Sequence, residues 1–377
     1  MSNTISALVP QLLAKGLLAL RDVAIAPAVV NRGYERLAGQ RGSTIDVPIP
    51  SAITATAVTP SNTPPASVDV APTSVQIPLD QWYEAPFHLT DKEMLEVRDD
   101  IMPMQASEAI KALANNVNDY ILGLYPSIYG YAGTAGTTPF ASDTSAATEA
   151  RKVLNTQLAP LGDRRMLIDP EAEANALGIR AFQDASFGGG ASALREGQIT
   201  RKLGFDWFMH QRMPTHTAGT ASGATTDNAG YAVGVKTVTL ASAGTGTILV
   251  GDIFTIAGDA QTYVVTSGDA DVSGGGTVSF EPGLQIAIAT SATAITLKAS
   301  HTVNLAMHRD CIAFASRPLD ATVDAGLGSI VRSAVDPLSG LALRLEVTRE
   351  HRQTKWSYDI LYGGLVVRPE LGARLAG

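Results

Sequence analysis

Cysteine is almost absent from this chain. Cys311 stands alone among 377 residues, so no disulfide can form within one chain and no thiolate cluster can hold a metal. That scarcity fits synthesis in a reducing cytoplasm. Long apolar runs are missing too: none reaches the roughly 20 residues a membrane helix needs. The first residues, MSNTISALVPQLLAKGLLALRD, have no basic start, and Lys15, Arg21 and Asp22 interrupt their apolar stretch. They predict an amphipathic helix from near Pro10 rather than a signal peptide, with Leu12, Leu13, Leu17, Leu18 and Leu20 on one broad face. Charge is sparse, at 17% of residues, and a surface that poor in charge implies large areas destined for partners. The net charge of −8 argues against tight binding to DNA, which depends on neutralising phosphates. It still allows a chain that encloses DNA without gripping it.

The usual signatures of chemistry are also lacking. There is no G-x-S-x-G elbow and no Walker loop. Six histidines are present, His88, His210, His216, His301, His308 and His351, but no pair has the spacing or acidic context of a zinc site. His210 and His216 could approach each other, with a surface pair as the expected arrangement. Cys311 opens an apolar strand pattern and is expected to be a small buried hydrophobe. Asp269-Ala270-Asp271-Val272-Ser273-Gly274 begins like a calcium loop, yet Phe280 occupies the position that needs a bidentate carboxylate. A polar hairpin turn is the expectation there. The glycines at 188–190 follow no strand–helix unit that would cradle phosphate. Trp82-Tyr83 and Trp207-Phe208 could stack on a ligand, but packing in a core or interface is the commoner use. No catalytic, cofactor-binding or metal-ligating residue is assigned.

What the sequence does contain is alternating structure of both kinds, an α+β pattern. Residues 41–90 predict a long two-stranded excursion with a Pro-rich tip near Ser61–Pro65, strand edges being guarded by proline. Residues 103–125 predict the longest helix, with Ile110, Leu113, Val117, Ile121 and Leu124 stepping by three and four. Inside it stand Asn115, Asn116, Asn118 and Asp119, all poor helix formers. They are read as short polar groups offered to solvent, neighbours or backbone, or simply as an exposed face. A helix over 145–158, a buried strand over 164–170 and a short helix over 171–177 follow. SFGGGAS (186–192) predicts a loop, and 194–214 mixes strand and loop signals. Residues 218–300 hold no Arg, Cys or Trp, and six acids against Lys236 and Lys298. Their short runs VKTVTL, ILVGDIFTIA, QTYVVTS, GTVSF and TAITLKA, parted by turn residues, predict a small inserted β-barrel or sandwich. CIAFASRPL (311–319) predicts a strand, and 341–370 three strands with a bend at Gly363-Gly364.

Several stretches resemble the major capsid proteins of tailed double-stranded DNA bacteriophages, with the Hong Kong 97-type fold. They are Leu113-Ala114-Asn115-Asn116-Val117, EGQITRKLGFD (196–206), NLAMHRDCIAFASRPL (304–319) and DILYGGLVVRPE (359–370). Within that group the likeness is greatest to the coat protein of the Salmonella short-tailed phage, which carries an inserted β-barrel domain. The resemblance implies an N-terminal arm over 1–40 and an E-loop over 41–95. It implies a peripheral domain with a spine helix over 96–166 and 341–377, an axial domain over 167–217 and 301–340, and an inserted barrel over 218–300. It implies a structural protein, not an enzyme, that self-assembles as hexamers and pentamers of an icosahedral virion head around DNA. Assembly would take place in the bacterial host cytoplasm, with a scaffolding protein and portal, possible decoration proteins and no membrane or cofactor. Some members weld subunits through lysine–asparagine isopeptide bonds. Residues 42–90 contain no lysine, the nearest being Lys15 and Lys92, so non-covalent closure is expected. The alternative is a surface or adhesin-like β-rich binding protein, which residues 218–300 alone would fit.

Overall fold

The computed structural model describes residues 24–34, 44–49, 72–96, 101–183, 201–319, 329–336 and 339–377, with the single residues 53, 55, 57, 58, 60, 197 and 199. The N-terminal helix, the tip at Ser61–Pro65 and the glycines at 188–190 lie outside these. The chain divides into two compact units, one of Arg32–Leu113 and Ala313–Val367, the other of Arg21–Asn31, Ala114–Ile312 and Arg368–Gly377.

In the first unit, Thr44–Ile49 and Thr73–Pro78 form an antiparallel ladder, with Ile45 opposite Ile77 and Val47 opposite Val75. Alternation turns Ile45, Val47 and Ile77 inward, and with Leu79 they bury against Ala313 and Ala315. The five-stranded sheet of this unit is built on Gln353–Val366, flanked by Ala342–Glu350 and Gln81–Thr90. Its packed face carries Trp356, Tyr358 and Tyr362, each at most 1% exposed. Gly363 and Gly364 do not bend the chain: they lie inside one continuous 14-residue strand. The segment therefore makes two strands up to Val366, not three. The reason is clearance. A Cβ on Gly363 would stand 1.9 Å from the carbonyl oxygen of Pro78, so glycine lets the ladder's last strand close on the sheet.

The second unit centres on His301–His308, the middle strand of a mixed sheet. Its neighbours are Gly372–Ala376 and Arg164–Ile168, with Gly130–Gly133 and Asp206–Met209 outside them in parallel pairing. Strands from the segments that the resemblance assigns to two separate domains thus share one sheet. The helix Ser145–Thr156 buries Ala147, Ala150 and Leu154, and Pro170–Gly178 buries Ala172 and Ala176. These small faces allow close packing.

The long helix is Ile101–Leu122, with Pro103 in its first turn, where a missing N–H costs nothing. Ile110, Leu113, Val117 and Ile121 are buried as the spacing requires. Residues 237–297 contain the predicted short strands: Thr237–Leu240, Ile253–Ile256, Thr262–Ser267, Gly276–Glu281 and Ile295–Leu297. They form one antiparallel sheet whose two edge strands both meet residues 224–227. Thr226 bridges Leu240, and Thr225 bridges Ala294. Phe254, Tyr263 and Phe280 pack ring to ring inside it.

Candidate interaction surface

Of the residues singled out for chemistry, only His216 and His301 meet among the described residues, with ring centres 5.4 Å apart. His88 and His351 are exposed. His210 and His216 are not a surface pair: they are 5% and 4% exposed and have separate partners. His210 Nδ1 accepts the N–H of Arg212 at 3.1 Å, and burial lowers its pKa. His216 faces Asp252, Tyr125 and His301 instead. His308 Nδ1 accepts the N–H of Asp310. Cys311 closes a short turn one residue before its strand and is fully buried, and that burial pushes its thiol pKa well up. In the calcium-like stretch, Asp269 Oδ1 accepts the N–H of Asp271, and Asp271 Oδ1 accepts the N–H and hydroxyl of Ser273. The carboxylates are spent holding a turn, as a hairpin requires. Among the described residues no group of three His, Cys, Asp or Glu could hold a metal ion, and no helix is long and apolar enough to cross a membrane.

The aromatic pairs separate. Trp207 is a core residue, ring to ring with Phe140 and Phe182, its indole N–H donating to Lys202 O. Trp82 and Tyr83 are 63% and 43% exposed. They sit on Gln81–Thr90, a ten-residue strand whose described pairing is to Gln353–Tyr362 alone. Its second edge carries backbone groups with no described ladder partner, a template for another chain. Trp82 is held in place by its own sheet. Its indole N–H donates to Asp359 Oδ2 at 3.0 Å. The same carboxylate takes the Arg344 guanidinium from the directly opposite cross-strand position. That bidentate pair raises the Arg344 pKa and fixes the ring's anchor. Ile53 and Val58, in the excursion preceding this strand, are 66% and 88% exposed. The only sequence signal for this edge was the Trp-Tyr pair itself.

The asparagines of the long helix also separate. Asn118 is fully buried, and its Oδ1 accepts the N–H of Ala26 at 3.1 Å. It is not part of an exposed face. Asp119 pairs with Arg212, Oδ1 to Nε at 2.8 Å and Oδ2 to Nη2 at 2.5 Å, which raises the Arg212 pKa.

No known family's profile matches the chain, and no curated protein sequence is similar to it. Solved structures are similar. A chain from the capsid of the cyanophage P-SCSP1u is 12% identical, over 89% of this chain and 84% of that one, with a TM-score of 0.49. A chain from the capsid of a native GTA particle is 11% identical, over 96% and 90%, with a TM-score of 0.47. A chain from Mycobacterium phage Che8 is 16% identical, over 93% of this chain and 90% of that one, with a TM-score of 0.50. At that identity the Che8 likeness is one of fold, a mixed α/β fold shared over nearly all of both chains.

Proposed function

We propose that this chain is the major capsid protein of a tailed double-stranded DNA bacteriophage, with a Hong Kong 97-type fold. It builds hexamers and pentamers of an icosahedral head and has no enzymatic role. The observation that carries this reading is the fold shared with the phage Che8 chain over nearly the full length of both. The long ladder-bearing excursion and the open Trp82–Tyr83 edge support it, because both offer surface that a lone protein would leave unused. In this reading 1–40 is the N-terminal arm and 41–95 the E-loop. Residues 96–166 and 341–377 are the peripheral domain, and 167–217 with 301–340 the axial domain. Residues 218–300 are an inserted β-barrel, as in the coat protein of the Salmonella short-tailed phage. The protein is made and assembled in the host cytoplasm with a scaffolding protein and portal, and it encloses DNA without reading it. Expressed protein, concentrated and imaged by negative-stain electron microscopy, should give closed shells, sheets or tubes. A species that stays monomeric at every concentration in sedimentation velocity, with and without a co-expressed scaffolding protein, would overturn the reading.

A further inference from the structure

Residues 218–300 leave and rejoin the sheet of the second unit at one place. Thr215–His216 pairs with His301–Thr302, and the N–H of Ala218 donates to Ser300 Oγ at 3.0 Å. A buried polar cluster lies at this joint. His216 and His301 are 4% and 2% exposed, with ring centres 5.4 Å apart. Asp252, contributed by the 218–300 segment, is fully buried. Its Oδ1 meets His216 Nε2 at 3.0 Å, and its carboxylate accepts the N–H groups of Gly219 and Leu249. From the sheet side comes Arg374, also fully buried. It donates to Gly251 O at 2.7 Å and Pro126 O at 2.9 Å, with its guanidinium 5.0 Å from the centre of the Tyr125 ring. Gly251 has φ +89°, and a Cβ there would stand 3.0 Å from Pro126 Cβ. The fit is close enough that a small shift breaks it.

The charges of this cluster balance when both histidines are neutral. One carboxylate faces one guanidinium. His216 gives its Nε2 proton to Asp252 and accepts the Tyr125 hydroxyl at Nδ1, 3.1 Å away. His301 gives its Nδ1 proton to Ala299 O at 2.8 Å, and its buried Nε2 has no hydrogen-bond partner among the described residues. A proton on that Nε2 would find no acceptor and would stand near Arg374 and His216. The Ala299 carbonyl and the Asp252 carboxylate are the neighbours that would favour it. The remaining polar neighbours are the ring of Tyr131, edge-on at 5.5 Å, and Lys298, whose ammonium lies 5.5 Å from that ring's centre and adds positive charge. Desolvation, with His216 and Arg374, lowers the His301 pKa from its usual value, against the Ala299 carbonyl and Asp252.

We propose that His301 makes this joint an acid-sensitive clasp, closed when its imidazole is neutral and opened by a proton on Nε2, while the 218–300 segment itself stays folded. The sign follows from linkage. A histidine whose pKa is lowered in the closed state binds more protons once open, so the clasp is strongest above the free pKa of about 6.5 and weakens as pH falls below it. The clasp does not depend on what the chain assembles into.

Hydrogen–deuterium exchange of the full chain between pH 7.5 and 5, corrected for the intrinsic rate, tests this. Peptides spanning 216–219, 249–252 and 299–302 should lose protection below pH 6.5, by up to about tenfold per pH unit for a single proton. Peptides within 253–265 and 276–281 should hold theirs. His301→Phe keeps a ring against Tyr131 and removes the proton site, so its joint should show no pH response. A flat wild-type joint, an unchanged pH response in His301→Phe, or parallel loss of the inner strands would each overturn the clasp. If His301→Phe does not fold, a histidine NMR titration of the wild type decides: titration of His301 below 6.5 supports the clasp, and titration at or above 6.5 overturns it.

Discussion

Asn118 puts an amide in the interior of a helix, where the intrinsic preference is against it. It is tolerated because it replaces water for the first backbone N–H of the short helix Ala26–Val29, a helix start with no side-chain cap of its own. Removing the amide leaves that donor buried and unpaired, which costs ~1–3 kcal/mol. Asn118→Ala should therefore lower the thermal midpoint of the purified chain, whereas Asn115→Ala, at a half-buried position, should leave it nearly unchanged. Equal midpoints for the two variants would remove Asn118 from this role. Nothing in the sequence near Asn118 announces its partner, which lies 92 residues away in the chain. The four polar residues looked alike because periodicity shows which positions share a helix face, not which distant backbone group comes to meet one of them. The same blindness applies to His216 and His301, whose meeting is a product of strand register.

Among the elements, those whose ends are marked by local chemistry were legible. The helix 145–158, the strand 164–170 and the helix 171–177 fall where the pattern put them, as do the five short strands of 218–300, each bounded by Gly, Asp or Ser turns. Gly363-Gly364 was misread because a glycine pair signals a bend and a close approach equally well, and the approaching strand, Thr73–Pro78, is far away in sequence. Gly363→Ala decides which role applies. With a Cβ 1.9 Å from Pro78 O, backbone must move, and overpacking of this kind costs ~1–3 kcal/mol. The expected result is a lowered denaturation midpoint with faster proteolysis of residues 44–78. A neutral effect on both would mean that the ladder does not close on the sheet at this point. Strands paired through their own core should also survive excision. Residues 218–300 bury Val238, Phe254, Tyr263, Phe280 and Leu284 among themselves, so the fragment should give a dispersed NMR spectrum. A disordered spectrum would show that the joint, not the internal core, holds these strands together.

At the scale of the whole molecule, the question is what would hold many copies closed in the proposed shell. An isopeptide weld needs a lysine on the overlapping loop, a partner asparagine and a carboxylate nearby to take the proton. Residues 42–90 contain no lysine, so the overlapping loop has no side-chain amine to offer. Lys92, the nearest on the C-terminal side, follows the strand that carries Trp82 and lies in the short helix Asp91–Glu96. That helix is tied to its own sheet by Asp91, which takes a two-point contact from Arg349. What remains is non-covalent: apolar groups such as Ile53, Val58 and Trp82, backbone pairing along an open strand edge, and a few charges. Each such contact is weak, but a subunit in a closed shell makes many at once, and leaving requires losing them together. Particles boiled in detergent under reducing conditions should therefore run as a single band near the 39.4 kDa chain mass. A ladder of multimers would mean that a lysine outside the loop reaches a neighbour, and non-covalent closure would be wrong.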